Sequence, residues 1–228
     1  MQPYFLPYLG YWQLLNYVDR FVIYDDVNYI TRGWVNRNRI LINGEPRYLT
    51  IPLCNASQNR LICEIGVAPS VWRSKLLRSI ELAYMKSPFF NEVIPLLNEI
   101  IQRDDGNLAS FVTYQISTLA EFIGIDTELR TSSRRYSNSE LAGQARIIDI
   151  CKRESADIYV NAEGGRLLYD SNAFAEAGLK LQFIKTNMKS YAQRGSATFV
   201  PNLSIVDALM AVGREGVREM LADFSLIG

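Results

Sequence analysis

The sequence of 228 residues contains no histidine and only three cysteines. Without histidine, a Ser-His-Asp triad, a Cys-His dyad, a histidine-ligated metal site and an imidazole proton shuttle are all excluded. Acid–base chemistry must therefore use Asp, Glu, Lys, Tyr or a group on the substrate. Cys54, Cys63 and Cys151 lack the close spacing of a zinc or redox pair, so reduced thiols are expected, with a Cys54–Cys63 bridge as the alternative.

Net charge and long hydrophobic runs are missing as well. The 24 Lys and Arg residues balance the 24 Asp and Glu residues, which argues against non-specific attraction to nucleic acid or to anionic membranes. No apolar run approaches the roughly 20 residues that a membrane-spanning helix needs. The first residues lack the charged start and apolar core of a signal peptide. A cytoplasmic protein with no membrane span and no nucleic-acid partner is therefore expected.

The residue pattern that is present indicates an α/β protein with a helical insertion. Residues 1–69 carry a helical pattern over 9–18, a strand over 20–24 and a β-hairpin over 39–53 that turns at Asn43-Gly44, and 62–67 could add a strand. Residues 70–126 carry three successive amphipathic helices, the first behind a Pro69-Ser70 helix-start signal. We expect these helices to form an insertion or subdomain.

From residue 127 strands and helices alternate, which favours a parallel sheet with right-handed crossovers. Residues 1–69 and 127–228 are therefore predicted to form one α/β core domain built on a Rossmann-like parallel sheet. The elements predicted in the second part are strands over 127–131, 157–160 and 179–184, and helices over 141–151, 165–177, 204–212 and 217–221.

The first candidate site is the aromatic segment 2–11, which holds two prolines, four aromatic residues and a glycine just before a helix. In parallel α/β folds, ligands bind at the carboxyl ends of strands and near helix N-termini, which attract anions. The alternative is an aromatic-rich turn packed into the core. The residues proposed to contact substrate here are Gln2, Tyr8, Gly10 and Tyr11.

The second candidate site is segment 25–39, which is dense in hydrogen-bonding side chains. Arginines form forked contacts with phosphate or carboxylate, while carboxylates accept from sugar hydroxyls or coordinate Mg²⁺. The alternative is a solvated loop whose Asp and Arg residues pair with one another. The proposed catalytic residues are Asp25 and Asp26, and the proposed binding residues are Arg32, Trp34, Asn36, Arg37, Asn38 and Arg39.

Two later segments are weaker candidates. Segment 159–170 follows a predicted strand but matches neither a dinucleotide fingerprint nor a phosphate-binding loop, and a plain glycine turn explains it equally well. Segment 185–194 could present polar side chains to an anion. The residues proposed to bind substrate in these segments are Asn161, Glu163, Gly164, Gly165, Tyr191 and Gln193.

Several motifs together resemble the WbqC-like protein family over nearly the whole chain. They are Gln2-Pro3-Tyr4-Phe5 through Pro7-Tyr8-Leu9-Gly10-Tyr11, Asp25-Asp26-Val27, Trp34-x-Asn36-Arg37-Asn38-Arg39-Ile40, Asn161 to Gly165, Leu168-Tyr169-Asp170 and Leu203-Ser204-Ile205-Val206-Asp207. Members often carry a few residues ahead of this Gln-Pro pair, which implies a late or shortened first strand here. The placement of Tyr8-Leu9-Gly10-Tyr11 is also similar to the HxGH motif of nucleotidyltransferase-like (HUP-like) domains, with tyrosine at both histidine positions.

The resemblance implies a role in the synthesis of O-antigen, lipopolysaccharide or other surface polysaccharides. The first hypothesis is a transferase acting on an activated sugar or amino-sugar intermediate, for example by acyl or aminoacyl transfer that forms an amide. The arginines would then hold a phosphate or carboxylate, and Asp25 or Asp26 would orient the acceptor or act as general base. The alternative hypothesis is a non-catalytic protein of the same pathway that binds a nucleotide-sugar or a partner enzyme.

Overall fold

The computed structural model describes residues 1–69 and 71–228, so Ser70 of the predicted helix-start signal lies outside the described residues. The helices are α1 (Leu9–Tyr17), α2 (Trp72–Tyr84), α3 (Phe90–Gln102), α4 (Leu108–Ile123), α5 (Gly143–Arg153), α6 (Ser171–Glu176) and α7 (Ile205–Leu221). The strands are β1 (Arg20–Val22), β2 (Arg37–Ile42), β3 (Glu45–Thr50), β4 (Leu53–Cys54), β5 (Gly66–Val67), β6 (Glu128–Arg130), β7 (Ile158–Ala162), β8 (Lys180–Thr186) and β9 (Phe224–Ile227).

The strands confirm a mixed α/β fold. β1 pairs in parallel with β6, and β7 pairs in parallel with β8, which is extended by antiparallel β9. β2 and β3 form the predicted hairpin, and β4 and β5 form a short antiparallel pair. Because the parallel strands fall into two separate pairs, the Rossmann-like arrangement in one continuous sheet stays a prediction.

The hairpin turn lies where the sequence places it. Asn43 and Gly44 both adopt left-handed backbone conformations, with φ of 54° and 80°. Two successive positive φ values match the twist of a two-residue hairpin, and Asn-Gly is the residue pair that adopts them most readily. The turn also packs closely, because a Cβ on Gly44 would lie 2.1 Å from the carbonyl oxygen of Gly195.

One apolar core joins the helices to the N-terminal segment. Phe5, Trp12, Phe111 and Met210 are all buried in the same cluster, so α1, α4 and α7 share a core with the first residues of the chain. The three helices predicted over 70–124 are confirmed as α2, α3 and α4. Their separation as an insertion from the α/β core stays a prediction. No helix within residues 1–69 and 71–228 is long and apolar enough to cross a membrane.

Two predicted elements differ in the structure. The helix predicted over 165–177 is wrong in its first half, where a 3₁₀ helix (Glu163–Leu168) precedes α6. Gly164 and Gly165 disfavour an α-helix, and Asp170 starts a new one by accepting a hydrogen bond from the Asn172 amide at 2.9 Å. The segment 62–67 forms a 3₁₀ turn and the two residues of β5 rather than one strand.

Candidate functional site

The two acids that follow β1 lie against the residues that follow β6, because parallel β1 and β6 end at the same edge. Asp25 accepts hydrogen bonds from the Ser132 hydroxyl at 2.8 Å and from the Ser133 amide at 3.0 Å. The Ser133 hydroxyl also contacts Asp26. Both carboxylates are buried, with 2% and 9% of their residues' surface exposed. Their negative charge is therefore held by donors of the protein itself.

Arg146 of α5 completes this acid cluster. Its guanidinium donates to the Asp26 carboxylate at 2.5 Å and to the Asp26 carbonyl at 3.1 Å, and its Nε donates to Asn138 at 2.9 Å. The guanidinium carbon also lies 5.0 Å from the centre of the Tyr24 ring. Asp26 thus forms a buried ion pair with Arg146, a residue far away in the sequence, and both acids lie in a polar cluster at the end of β1.

A second group of polar side chains covers one face of the β2–β3 hairpin. Arg37 and Arg39 are two residues apart on β2 and so point to the same side. The Arg37 guanidinium lies 4.3 Å from the Tyr48 ring centre, and that of Arg39 lies 5.7 Å from the Trp34 ring. We call these four residues the arginine face. Among the described residues, neither arginine forms an ion pair with a carboxylate.

The N-terminal segment is hydrogen-bonded to this hairpin. The Phe5 amide donates to the Trp34 carbonyl at 3.0 Å, and the buried Asn38 side chain donates to the Phe5 and Leu6 carbonyls at 3.1 and 2.7 Å. Asn36 is likewise buried, accepting from Tyr29 and donating to Ile51. Asn36 and Asn38 therefore hold the backbone, and the arginine face stands beside the aromatic segment.

Ser204 links Tyr8 to the arginine face. The Ser204 amide donates to the Arg39 carbonyl at 2.8 Å, and Ser204 forms an isolated β-bridge with Tyr8. Tyr8 is the residue before α1, and no side chain caps that helix. The Tyr11 amide of the first turn donates to the Tyr8 carbonyl at 3.0 Å, and Leu9 and Gly10 are buried, while Tyr8 itself is half-buried.

The tyrosines of the segment differ in exposure. Tyr11 is fully buried and its hydroxyl donates to the Gln2 carbonyl at 3.2 Å, whereas Tyr4 and Tyr8 are half-buried. Burial raises the pKa of Tyr4 to about 12, and it raises the pKa of Tyr8 and Tyr11 as well. All three phenols are consequently neutral hydrogen-bond donors near pH 7.

Gly10 allows α1 to pack closely against β8. A Cβ at this position would lie 2.7 Å from Oγ1 of Thr186 and 3.2 Å from the Tyr8 ring. The glycine therefore lets α1 approach β8 and leaves room for Tyr8. Arg32, another predicted binding residue, is exposed next to the arginine face, and its carbonyl accepts from Arg37.

The predicted residues at the carboxyl end of β7 and just after it form a group of their own. The Asn161 side chain donates to the hydroxyls of Tyr159 and Tyr169 at 2.9 and 3.1 Å. Gly165 packs against it, since a Cβ there would lie 3.2 Å from the Asn161 amide group, whereas a Cβ on Gly164 meets no atom within 4 Å. Oε1 of Glu163 lies 3.7 Å from Nζ of Lys185, and the two side chains form an exposed ion pair.

Tyr191 and Gln193 contact a buried acid that sequence reasoning missed. Both donate to Oδ2 of Asp207 at 2.9 Å, and Tyr84 donates to Oδ1 at 2.8 Å. Burial raises the pKa of Asp207 above its usual value. These bonds fasten the segment after β8 to α7 and α2, so Tyr191 and Gln193 turn inward.

Among the described residues, the thiols and acids give no sign of a thiolate nucleophile or a metal cluster. All three cysteines lie in the described part of the chain and are free thiols. Burial raises the pKa of Cys151 to about 11, and burial with the nearby Asp25 charge raises the pKa of Cys63. Within the described ranges, no group of three or more His, Cys, Asp or Glu residues could hold a metal ion.

Comparison with known proteins identifies the family of the chain. The model of the WbqC-like protein family matches residues 2–219. The chain belongs to the WbqC-like protein family. It is 29% identical over 220 residues to the uncharacterized protein Rv1507c of Mycobacterium tuberculosis, covering 94% of this chain and 93% of that one. No solved structure matches.

In this WbqC-like protein, the predicted site residues fall into separate groups. The aromatic segment and the arginine face are neighbours, and the acid cluster touches the start of that segment through Tyr24, whose amide donates to the Met1 carbonyl at 2.8 Å. Asn161 and its tyrosines form a third group. Sequence reasoning did not propose Ser132, Ser133, Arg146 or Asp207 as site residues, although Asp207 stands in one of the family motifs. The first two carried a detectable signal, because they directly follow a predicted strand.

Proposed function

We propose that this WbqC-like protein is a cytoplasmic transferase of surface-polysaccharide biosynthesis that acts on an activated sugar or amino-sugar intermediate. Its substrate would be a small anionic molecule such as a nucleotide-sugar. Family membership supports the pathway, and the arginine face beside the aromatic segment supports an anionic ligand. An acyl or aminoacyl transfer that forms an amide on an amino sugar is one concrete version.

The state of Arg39 is the observation that carries the proposal. Its Nε is shielded from solvent and has no hydrogen-bond partner among the described residues, and its Nη2 reaches the Asn202 carbonyl only at 3.5 Å. A buried donor without an acceptor costs about 1–3 kcal/mol. A phosphate or carboxylate bound at the arginine face would supply that acceptor and neutralise the charge of Arg37 and Arg39.

The remaining roles follow from position. The neutral hydroxyl of Tyr8 would contact the same anion, because Ser204 joins the backbone of Tyr8 to the backbone of Arg39. Asp25 and Asp26 would orient a hydroxyl or amine of the acceptor or accept its proton. Each oxygen of the Asp26 carboxylate accepts from one protein donor, and a carboxylate oxygen has two acceptor positions, so Asp26 has capacity left for a substrate. Gln2 and Asn161 would contribute polar contacts.

A second candidate function is non-catalytic binding of a nucleotide-sugar in the same pathway. The specific observation in its favour is the acid cluster, in which Asp25 already accepts from two serines and Asp26 is paired with Arg146. Such acids serve readily as structural anchors. Under this alternative, ligands bind at the arginine face and no turnover follows.

The two functions are separated by a thermal-shift screen with nucleotide-sugars, ATP and CoA thioesters, followed by a product assay for each hit. The transferase predicts that a hit raises the melting midpoint and is converted when an amino-sugar acceptor is added. Binding without conversion supports the alternative. If no compound raises the midpoint, both proposals fail.

Variants of the hairpin test the site. Arg37→Ala and Arg39→Ala should each weaken binding of a hit by at least about tenfold, since a hydrogen bond to a charged group contributes about 1.5–3 kcal/mol. Arg47→Ala is the matched control, because Arg47 is on β3 of the same hairpin, is exposed, and pairs with Glu45. Equal losses in all three variants would point to hairpin damage instead of ligand contacts.

The fold proposal accompanies the functional one. We propose that the α/β part is Rossmann-like, with ligands at the carboxyl ends of its parallel strands. In support, the acid cluster follows β1 and β6, and Asn161 lies at the carboxyl end of β7. We also propose that residues 70–126 form a helical insertion in this α/β domain.

A further inference from the structure

Tyr48 presents an aromatic ring to solvent on the arginine face. Its strand, β3, pairs with β2 alone in the part of the chain that the structure describes, and five of its six residues are exposed. Tyr48 itself is 51% exposed. The fold therefore leaves a large part of this ring free to contact a ligand.

The register of the hairpin brings Tyr48 beside Arg39. The two residues are directly opposite each other on β3 and β2. The Arg39 amide donates to the Asn38 side chain at 2.8 Å, and the Arg39 carbonyl accepts from the Ser204 amide at 2.8 Å, so both backbone groups are engaged outside β3. Arg39 and Tyr48 are therefore a non-hydrogen-bonded pair, in which the side chains approach most closely. The ring lies next to the arginine whose Nε lacks an acceptor among the described residues.

Arg37 covers one face of the Tyr48 ring. Its guanidinium carbon lies over the ring, 4.3 Å from the ring centre. The guanidinium is held there because its Nε donates to the Gly33 carbonyl at 3.2 Å and its Nη2 donates to the Arg32 carbonyl. Since half of Tyr48 is exposed, the opposite face of the ring is open to solvent. A flat group bound on that side would complete a stack of guanidinium, phenol ring and ligand.

Trp34 adds a second ring to the same surface. Its ring centre lies 6.5 Å from that of Tyr48, with the two planes inclined by 35°, and the Arg39 guanidinium lies next to it. Aromatic rings of this kind bind flat π-systems, while arginines without a carboxylate partner bind anions. The arginine face therefore fits a molecule that has both a flat aromatic part and an anionic part. Nucleoside phosphates combine the two.

Tyr8 lies at the other edge of β2. Ser204 accounts for this position, because its amide bonds to the Arg39 carbonyl on the side away from β3 and its backbone bridges to Tyr8. An anion at Arg39 would thus have the open ring of Tyr48 on one side and the phenol of Tyr8 on the other. In a nucleotide-sugar the phosphates lie between the base and the sugar, which agrees with this order.

We propose that Tyr48 is the residue on which the arginine face stacks the base of a nucleoside diphosphate, with the phosphates at Arg39 and the sugar toward Tyr8. This inference rests on the proposed function, because it assigns the parts of a nucleotide-sugar to the two sides of the arginine face. Stacking uses the π-face that every base has, so the site accepts purines and pyrimidines alike. A sugar phosphate without a base lacks this contact and binds more weakly.

Calorimetric titration with UDP, GDP, ADP and inorganic pyrophosphate tests the role of Tyr48. Tyr48→Leu removes the ring, so it should weaken binding of the nucleoside diphosphates at least about fivefold and change pyrophosphate binding less than about twofold. Tyr48→Phe keeps the ring and should bind nucleotides like the unmodified protein. Tyr17→Leu is the matched control, since Tyr17 is an exposed tyrosine at the end of α1 that packs against Phe224.

Tryptophan fluorescence gives a second readout of stacking. Of the three tryptophans, Trp12 and Trp72 are buried and Trp34 is half-buried next to Tyr48. GDP should quench the fluorescence because its base lies beside Trp34, whereas pyrophosphate should not. Trp34→Phe should remove the quenching.

The results that would overturn the proposal are distinct from those that would overturn the anion site. Stacking on Tyr48 is wrong if Tyr48→Leu binds nucleotides as tightly as the unmodified protein, or if it loses pyrophosphate in the same proportion, because the ring would then act only by holding Arg37. If Arg39→Ala alone weakens nucleotide binding, stacking on Tyr48 is wrong and the anion site stands. If neither nucleotides nor pyrophosphate bind, both are wrong.

A single-stranded RNA of ten nucleotides distinguishes a free nucleotide from a nucleic-acid strand, since both carry bases and phosphates. We expect the RNA to bind no more tightly than the best nucleoside diphosphate, because the chain has no net positive charge. Tighter binding of the RNA, lost in Tyr48→Leu, would overturn the assignment to a free nucleotide.

Discussion

The ion pair between Asp26 and Arg146 provides the sharpest prediction for the acid cluster. Both side chains are buried, with 9% and 4% of their surface exposed, and their atoms approach to 2.5 Å. Replacing Arg146 with methionine keeps an unbranched side chain but leaves the Asp26 charge buried without its partner. Breaking a buried pair in this way typically costs about 3–5 kcal/mol.

The size of the protein converts this cost into a melting shift. For a chain of this length, 1 kcal/mol lowers the thermal midpoint by about 2–4 °C, so Arg146→Met should lower it by about 6–20 °C. Adding Asp26→Leu to the same chain should recover part of the loss, because no unpaired charge then remains. Differential scanning calorimetry of both variants measures these effects.

An exposed ion pair serves as the control. Arg47 and Glu45 are more than 60% exposed in their side chains, and Arg47→Ala should change stability by less than about 1 kcal/mol. The reasoning is refuted if Arg146→Met melts within about 2 °C of the unmodified protein, or if the double variant is no more stable than the single one. Either result would mean that the Asp26 charge does not depend on Arg146.

Three further predictions concern packing, the N-terminal segment and pH. Gly10→Ala should lower the free energy of unfolding, measured by chemical denaturation, by about 1–3 kcal/mol because the new Cβ would meet Thr186. Gly164→Ala is the control and should leave it unchanged, because a Cβ at Gly164 meets no atom within 4 Å. Asn38→Ala should cost about 1–3 kcal/mol by leaving two carbonyls without donors, and should weaken ligand binding as well. Burial lowers the pKa of the Met1 amino group to about 5, so between pH 5 and 8 the unfolded chain binds more protons than the folded chain. The free energy of unfolding should therefore rise with pH by up to about 4 kcal/mol across that window. Acetylation of this amine should remove that pH dependence.

Local signals explain what the sequence predicted well. The Asn43-Gly44 turn and the helices α2 to α4 follow from nearest-neighbour chemistry and from apolar residues repeated at helical spacing. The break between the two predicted C-terminal helices is seen at Gly213, where φ is 72° within α7. Each of these features depends on residues close together in the chain.

The composition of the acid cluster depends on contacts that no local pattern encodes. Asp26 meets Arg146 across 120 positions, and Asp25 meets Ser132 across 107. The ion-pair partner of Asp26 is therefore Arg146 of α5, and not one of the arginines that follow Asp26 in segment 25–39. β9 was also missed, because four residues at the edge of a sheet, two of them exposed, carry little hydrophobic signal.

The prediction of a separate ligand loop after β7 illustrates a third limit. Asn161 has the residue type and position of a ligand contact, yet its amide is bonded to Tyr159 and Tyr169. A sequence shows which donors are available but not which acceptors they meet in the fold. Whether Asn161 also binds substrate remains part of the proposal.

Isothermal titration calorimetry tests the proposed anion site most directly. The best nucleotide-sugar from the screen is titrated into the unmodified protein and into the Arg39→Ala and Arg47→Ala variants. The account predicts tight binding by the unmodified protein and the Arg47 variant, and at least about tenfold weaker binding once the unsatisfied Arg39 donor is removed. Unchanged affinity in Arg39→Ala would contradict it, because the ligand would then be held elsewhere.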